Sequence, residues 1–208
     1  MIVVITAGST QEVIGPLLSV SMPNMGWLSK LVAQLFMISG CDVKYIHGPN
    51  ADLPSGRCSL ISVTTSDDLR DAIQSQVGDR NCSVVYHGMS VTPIRRIDAS
   101  QLGSEPSINA LETVPNPCAG LRELAGNGCV IAGNILVESG TGQELVDAAR
   151  RRRRSEGWNF AVCESVDMRE RVFVTRSDSW DVPIVEDAAK MVFMRCQGHL
   201  EEIRPVTW

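Results

Sequence analysis

An apolar strand followed at once by a loop of small residues opens the chain, and this pairing most constrains the fold. Residues 2–5 are Ile, Val, Val and Ile, a run typical of a strand buried on both faces of a parallel sheet. Residues 6–10 are small, and apolar residues then recur at helical spacing over residues 27–39, before Gly40. Strand, loop and helix in this order are typical of a βαβ unit, in which ligands bind beyond the carboxyl end of the strand.

The same alternation continues along the chain and predicts an α/β fold with a doubly wound, mainly parallel sheet. No composition shift marks a linker within the 208 residues, so a single domain over 1–208 is expected. Residues 93–117 lack periodicity and are predicted to form a long loop at the carboxyl edge of the sheet. Further strands are predicted over residues 42–47, 59–64, 83–87, 129–132, 159–163 and 171–175, with helices from Ser66 and over residues 142–154 and 185–196.

The loop of Gly8, Ser9 and Thr10 is the first candidate ligand site. Its backbone N–H groups and two hydroxyls could hold phosphate oxygens, whereas the plainer alternative is that these small residues only turn the chain. The spacing from Gly8 to Gly15 does not satisfy G-x-G-x-x-G, and the loop does not match G-x-x-x-x-G-K-[ST]. A standard dinucleotide fingerprint and a P-loop are therefore excluded here.

Composition disfavours several other classes of protein. The formal net charge of −5 argues against general nucleic-acid binding. The seven cysteines are scattered and include no C-x-x-C pair, so we expect neither a disulfide framework nor a metal site. The chain has no apolar run of about 18 residues and begins without a basic segment, which predicts a cytoplasmic protein with no membrane partner.

Four segments, taken in order, match the motifs of one family. Residues 5–12 (ITAGSTQE) resemble an opening I-T-[AS]-G-G-T-x-E, and Met25 and Gly26 match the end of S-[ST]-G-[KR]-[ML]-G. Residues 63–69 (VTTSDDL) match V-x-T-x-x-[DE]-[LM], and residues 84–92 (VVYHGMSVT) resemble V-L-I-H-S-M-A-V-S closely. These motifs belong to the phosphopantothenate–cysteine ligases of coenzyme A biosynthesis, and the chain resembles their free-standing bacterial form in particular.

The resemblance implies a Rossmann-like fold, a homodimer with each site completed near the subunit interface, and an acid–amine ligase. Family members activate a carboxylate with CTP, or ATP in some, together with Mg, and an amine then attacks the acyl nucleotidylate. The substrate would be a small-molecule carboxylate or a nucleotide-linked compound. The candidate catalytic residues are Asn24 and Asn134, and the candidate nucleotide-binding residues are Gly8, Ser9, Thr10, Met25, Gly26, Gly48, Met89, Ser90, Val91, Gly133, Arg151 and Arg154.

The chain departs from the family where the chemistry occurs. Asn24 stands where the family has Lys or Arg, Asn134 stands where it has Phe, and Glu164 replaces the asparagine of its A-N-D motif. The lysine cluster K-I-[KS]-[KS] is missing, since the nearest stretch, residues 107–109, carries no cation. Because each charge-assisted contact to a triphosphate is worth about 1.5 to 3 kcal/mol, ordinary ligase activity is expected to be weak or absent.

Arginines could replace the lost cations in space. Arg95 follows the fourth strand, and residues 150–154 are a run of five arginines that includes Arg151 and Arg154. A solvated helix end is the plainer account of that run, and the phosphate-binding fork of Arg supports the functional one. The loops after the first, fourth and fifth strands are expected to form a single pocket that these arginines could reach. His87 is expected to be structural, and Trp27 to lie on the buried face of its helix.

Three functions remain open on these grounds. The first is a divergent ligase acting on another acid or amine. The second is an enzyme that acts on a nucleotide-linked substrate without triphosphate activation, and the third is a non-catalytic homologue that binds a nucleotide or another ligand. A short-chain reductase is disfavoured, because neither Tyr45 nor Tyr86 is followed by Lys four residues later.

Overall fold

Seventeen helices and strands are found in the computed structural model, which describes residues 1–15, 17–78, 82–97, 111–167 and 170–203. In chain order they are β1 (Ile2–Ala7), β2 (Gln11–Gly15), β3 (Leu18–Ser21), α1 (Trp27–Ile38), β4 (Asp42–His47), β5 (Ser59–Ser62), α2 (Ser66–Val77), β6 (Cys82–His87), β7 (Ile94–Arg96), β8 (Leu111–Thr113), α3 (Leu121–Ala125), β9 (Val130–Val137), α4 (Gly142–Ser155), β10 (Phe160–Ser165), β11 (Arg171–Val174), β12 (Ser179–Asp181) and α5 (Val185–Ile203).

One large sheet organises these elements, with strand order β12-β11-β10-β9-β6-β1-β4-β5. Strands β5, β4, β1, β6, β9 and β10 pair in parallel, and β11 and β12 add an antiparallel edge. If the six parallel strands are numbered along the chain, their spatial order is 3-2-1-4-5-6, the order of a doubly wound nucleotide-binding sheet. The predicted Rossmann-like, mainly parallel α/β fold is confirmed.

Helices cover both faces of the sheet because side chains along each central strand alternate between two apolar layers. Val3 and Ile5 of β1 pack with residues of α1 and α5, whereas Val4 packs with residues of α2 and α4. All three side chains are fully buried. Strand β1 therefore lies at the centre of the fold, and its carboxyl end lies between the loops that follow β4 and β6.

Two stretches predicted as loops contain antiparallel hairpins. Strands β2 and β3 pair within the segment expected to link β1 to α1, and β7 pairs with β8 within the stretch predicted as an irregular loop. Residues 98–110, including the stretch 107–109, lie outside the described residues. Helix α3 and strand β12 were not predicted, and α5 extends beyond its predicted end.

No helix of the described residues is long and apolar enough to cross a bilayer.

Helix α2 begins at the predicted Ser66, and Thr65 caps it. Thr65 Oγ1 accepts from the N–H of Asp68 at 3.1 Å, and the Asp68 carboxylate accepts from the N–H of Thr65 at 2.8 Å. This reciprocal pair is a capping box, which satisfies two backbone donors at the helix start.

The predicted burial of Trp27 is wrong, since 49% of its surface is exposed. The buried face of α1 instead carries Leu28, Val32 and Phe36, which recur every fourth residue and so share one side of the helix. Trp27 precedes this stripe by one position and points away from it, where the Lys30 ammonium lies 5.0 Å from its ring centroid. The cation–π contact is an exposed one.

Candidate functional site

A cavity of about 230 Å³ opens at the carboxyl edge of the sheet, between the start of α1 and the ends of β6, β9 and β10. Edges of this kind are where open α/β sheets bind ligands. A second cavity of about 380 Å³ adjoins it and shares Leu136, Glu164, Arg171 and Val185 in its lining. The first cavity is lined by Pro23, Asn24, Met25, Gly26, Trp27, Leu28, Ser29, Gly88, Asn134, Leu136, Glu164, Arg171 and Val185.

Asn24 ties the loop before α1 to the loop after β6. Its Nδ2 donates to the carbonyl oxygen of Gly88 at 2.9 Å and to Ser90 Oγ at 3.0 Å, and its Oδ1 accepts from the N–H of Gly26 at 2.8 Å. Both amide hydrogens are therefore engaged within the protein. Asn24 positions the start of α1 against the cavity.

The amino terminus of α1 faces the cavity through Leu28 and Ser29, which are among its lining residues. The first hydrogen bond of the helix runs from the N–H of Lys30 to the carbonyl oxygen of Gly26, and no side chain caps the helix. The N–H groups of a first turn have no intrahelical partner, and the helix dipole adds partial positive charge there. This end of the cavity can therefore accept a carboxylate or phosphate.

The opposite wall is formed by a polar trio, Asn134, Glu164 and Arg171. Asn134 Nδ2 donates to Glu164 Oε1 at 2.8 Å, and Arg171 Nη2 donates to Glu164 Oε2 at 2.7 Å. Asn134 and Glu164 lie on the neighbouring parallel strands β9 and β10, and Arg171 pairs with Glu164 in the register of β10 and β11. The trio is thus held by three adjacent strands.

The loop of Gly8, Ser9 and Thr10 is bonded to the loop after β6. The N–H of Thr10 donates to the carbonyl oxygen of Ser90 at 3.0 Å, and Thr10 Oγ1 accepts from the N–H of Thr92 at 2.8 Å. Thr10 is fully buried and Ser9 nearly so. Because the Thr10 groups are used inside the protein, they do not form the phosphate cradle that the sequence suggested.

Three of the predicted nucleotide-binding glycines allow chain segments to approach one another. A Cβ atom at Gly8, which has φ +79°, would lie 2.6 Å from Ala51 Cβ, and one at Gly26 would lie 2.7 Å from the backbone nitrogen of Gly8. A Cβ atom at Gly48 would lie 2.0 Å from the carbonyl oxygen of Ser9. Of these three positions, only Gly26 lines the cavity.

Met89, Val91 and Gly133 lie on the other face of the sheet. Met89 is buried in the layer beneath α2 and α4, and Val91 packs against that layer. A Cβ atom at Gly133 would lie 2.2 Å from the ring of Trp158, which belongs to the same layer. Of the predicted site residues, the cavity is therefore lined by Asn24, Met25, Gly26 and Asn134. Ser90 is hydrogen-bonded to Asn24. The lining does not include Gly8, Ser9, Thr10, Gly48, Met89, Val91 or Gly133.

The arginine run lies elsewhere. Helix α4 connects the parallel strands β9 and β10, so its last turns, which carry the exposed Arg151 and Arg154, return to the amino edge of the sheet. Neither Arg151 nor Arg154 is among the lining residues of the cavity, and a solvated helix end fits the run. Arg95 is paired with Glu112 at 2.7 Å and with Asp67 at 2.9 Å.

His87 belongs to the buried layer beneath α2 and α4. Its Nδ1 lies 2.8 Å from Thr6 Oγ1, and its Nε2 lies 3.3 Å from Cys118 Sγ. Burial lowers the pKa of His87 to about 4 and raises the pKa of the Cys118 thiol to about 12. Both groups are therefore neutral at pH 7, which fits a structural role and gives no activated thiolate.

Sequence reasoning singled out Glu164 only as a departure from the family and did not consider Arg171. The available signal was a charged residue at the end of each of two apolar strands, FAVCES and RVFV. Charged side chains are rarely buried unless they are paired. The two strands therefore indicated that each charge needs a partner, although the pairing of β10 with β11 is required to show that they pair with each other.

The chain is similar to proteins of coenzyme A biosynthesis. A family model described as the DNA/pantothenate metabolism flavoprotein C-terminal domain matches residues 1–95. The coenzyme A biosynthesis bifunctional protein CoaBC of Thermococcus kodakarensis is 26% identical over 168 residues, 79% of this chain and 41% of that protein. The chain is similar to the phosphopantothenate–cysteine ligase family. CoaBC of Mycolicibacterium smegmatis is 24% identical over 186 residues, 85% of this chain and 45% of that protein, so the chain matches less than half the length of either CoaBC protein.

Solved structures share the fold of this chain. The DNA/pantothenate metabolism flavoprotein from Streptococcus pneumoniae superposes with a TM-score of 0.81 at 19% identity, covering 96% of this chain and 99% of that one. A Cab2 variant in complex with phosphopantothenate-cysteine superposes with a TM-score of 0.75 at 14% identity, covering 97% and 87%. Likeness at these identities concerns the fold alone.

Proposed function

We propose that the chain is a divergent acid–amine ligase, which activates a carboxylic acid with CTP or ATP to an acyl nucleotidylate and transfers the acyl group to an amine. The observation that supports this most directly is the uncapped amino terminus of α1, which faces a cavity at the carboxyl edge of the sheet. Such a terminus suits the negatively charged acid and acyl phosphate. The phosphopantothenate-cysteine bound in the Cab2 structure supports a small-molecule substrate.

The residues around the cavity would act by positioning the substrate and the acyl phosphate. The N–H groups of the first turn of α1 would hold the acyl phosphate, and Asn24 would hold that turn in place. Gly88 lets the turn pack closely, since a Cβ atom there would lie 2.0 Å from Ser29 Oγ. Among the described residues, no three His, Cys, Asp or Glu side chains cluster as metal ligands. Mg²⁺ would therefore be bound mainly through the nucleotide phosphates.

The site differs from that of an ordinary family member in charge and in size. Arg171 is the one cation among the described lining residues, and Glu164 already pairs with it. At about 230 Å³ the cavity is also smaller than the roughly 300 Å³ or more of most small-molecule sites. We therefore propose a homodimer in which the partner subunit completes the site, and weak activity on phosphopantothenate and cysteine.

The near-neutral cavity also favours a second candidate. An enzyme that acts on a nucleotide-linked substrate without triphosphate activation, or a homologue that only binds a nucleotide, would need fewer cations, because less phosphate charge has to be offset. Binding of CMP or AMP without any pyrophosphate chemistry would support this candidate.

Pyrophosphate release tests the ligase proposal. The protein is incubated with Mg²⁺, CTP or ATP, and a panel of carboxylic acids and amines; release that requires both an acid and the nucleotide is expected. Asn24→Ala should lower the rate about tenfold or more by releasing the first turn of α1, whereas Asn50→Ala, at an exposed position outside the cavity lining, should not. Melting temperatures would verify that both variants fold.

Two results of that assay would contradict the proposal. Nucleotide binding with no release for any acid would reject ligation and favour the second candidate. Robust release with phosphopantothenate and cysteine would reject the divergence and make the chain an ordinary family member.

A further inference from the structure

The polar trio of Asn134, Glu164 and Arg171 stands between the two cavities at the carboxyl edge of the sheet. Glu164 and Arg171 line both cavities, and Asn134 lines the first. The side chains of Glu164 and Arg171 are only 17% and 13% exposed. An ion pair buried to this degree is costly unless its remaining hydrogen-bonding capacity is satisfied.

That capacity is only partly used within the described residues. Arg171 donates through Nη2 to Glu164 and through Nη1 to the carbonyl oxygen of Pro183 at 2.9 Å. Each Glu164 oxygen accepts one hydrogen bond from the trio and can accept another. Asn134 Oδ1 is buried and has no partner in the described part of the chain.

A fourth polar group lies beneath the same wall. Tyr86 is fully buried, and its hydroxyl has no hydrogen-bond partner among the described residues. It lies under Gly88, since a Cβ atom there would be 3.0 Å from Tyr86 Cε1, and the charges of Glu164 and Arg171 both act on its phenol. Unpartnered buried polar groups of this kind are uncommon in native proteins and call for an explanation.

We propose that the trio is an amine subsite, which accepts the ammonium or amine group of a ligand whose acidic group lies at the amino terminus of α1. The amine subsite deepens the proposed function. It rests on that function for one point, the role of the bound amine as the reacting nucleophile. The α1 end of the cavity offers N–H donors, whereas the Glu164 end offers acceptors at Asn134 Oδ1 and the carboxylate. The cavity is therefore polarised along the direction from acid to amine.

An anion fits the trio less well than a cation. The Arg171 guanidinium is already engaged by Glu164 through Nη2 and by Pro183 through Nη1. An anion would have to displace the Glu164 carboxylate, which lies 2.7 Å from Arg171. An ammonium group can add to the carboxylate without breaking that bond, and it supplies the donor that Asn134 Oδ1 lacks.

Titration with three small probes of similar size tests the subsite. Propylammonium, 1-propanol and propionate are added separately to the isotope-labelled protein at pH 7, and binding is followed from NMR shifts of cavity residues. We expect propylammonium to bind about tenfold more tightly than the uncharged 1-propanol, as a charge-assisted contact allows, and propionate to bind at the first turn of α1. Equal affinities of propylammonium and 1-propanol would overturn the subsite.

Substitutions then assign the preference to the trio. Glu164→Gln should abolish the preference for propylammonium over 1-propanol, because the carboxylate that attracts the ammonium group is removed. Glu138→Gln removes the same charge at an exposed position just beyond β9, outside both cavity linings, and should leave the preference unchanged. If Glu164→Gln does not fold, Asn134→Leu should weaken propylammonium binding several-fold without strengthening propionate binding. A preference unaltered by either variant rejects the subsite.

These probes require no turnover, so the outcome is separable from that of the ligase assay. A charge preference that depends on Glu164, in a protein that releases no pyrophosphate, would keep the subsite and reject ligation. Pyrophosphate release by a protein whose probe binding does not change in Glu164→Gln would keep ligation and reject the subsite.

Discussion

A contact within the chain explains why residue 48 is glycine, although the family motif suggested that it binds a nucleotide. A methyl group at this position would meet the carbonyl oxygen of Ser9 at 2.0 Å, whereas one at Gly128 would meet nothing within 4 Å. We expect Gly48→Ala to lower the free energy of unfolding by about 1 to 3 kcal/mol and Gly128→Ala to change it by less than about 0.5 kcal/mol. Urea denaturation measures both, and equal effects would contradict the argument.

His87 should make stability depend on pH. Burial lowers its pKa from 6.5 to about 4, so the unfolded chain binds more protons between these values. The stability contribution is complete above pH 6.5 and is lost as pH falls toward 4. Between pH 7.5 and 5.5 the wild type should lose about 1.4 kcal/mol more than His87→Asn, as measured by urea denaturation; parallel pH profiles would show that His87 is not the cause.

Only part of the candidate site could be predicted from the sequence. Asn24 and Asn134 were identified as candidates and do line the cavity, with Asn134 joined to Glu164. Arg171 was missed because its importance depends on the pairing of β10 with β11, which periodicity does not specify. Gly133 looked like a ligand-facing residue, but it accommodates Trp158. A glycine in the sequence indicates that a side chain would not fit at that position, but only the structure shows which neighbouring group occupies the space.

At the scale of elements, the buried strands were the most predictable. Strand β4 has its predicted bounds, and β1, β6 and β10 differ by only a few residues, because β4 alternates in burial and the other three are mainly apolar runs covered by helices. The hairpin of β2 and β3 was missed since its β3 residues are mostly exposed and carry no clear alternation of burial. Short elements such as β12 give too few residues for a period to be detected.

The hairpin of β2 and β3 supports a prediction about assembly. It exposes Val13 by 61%, Leu17 by 100% and Leu18 by 49%, and contiguous exposed apolar residues are typical of interaction surfaces. Given the proposed homodimer, Val13→Ser with Leu18→Ser should weaken dimerisation by about tenfold or more. Light scattering across micromolar concentrations measures this.

Leu60→Ser provides the matched control for the hairpin, since Leu60 is 50% exposed on β5 at the sheet edge. It should leave the dimer intact. A wild-type protein that is monomeric at micromolar concentration would contradict the homodimer itself, and a double variant that still dimerises normally would place the interface elsewhere.

At the scale of the whole molecule, alternation of strand and helix was sufficient to predict the doubly wound architecture, because parallel neighbours require crossover connections. The antiparallel edge of β11 and β12 was beyond this reasoning, since strand direction there depends on short connections within the sheet. The same edge brings Arg171 to the cavity. The least predictable part of the fold therefore supplies one charge of the polar trio.

The central position of β1 determines how the protein must assemble as it is synthesised. Strand β1 leaves the ribosome well before its neighbours β4 and β6, which begin only at Asp42 and Cys82. Until β6 emerges, one edge of the most apolar strand has no partner, and such an edge is prone to pair with other chains. Closure of this long-range pairing is slow compared with local helix formation. The vulnerable period of folding is therefore early, before the second half of the sheet exists.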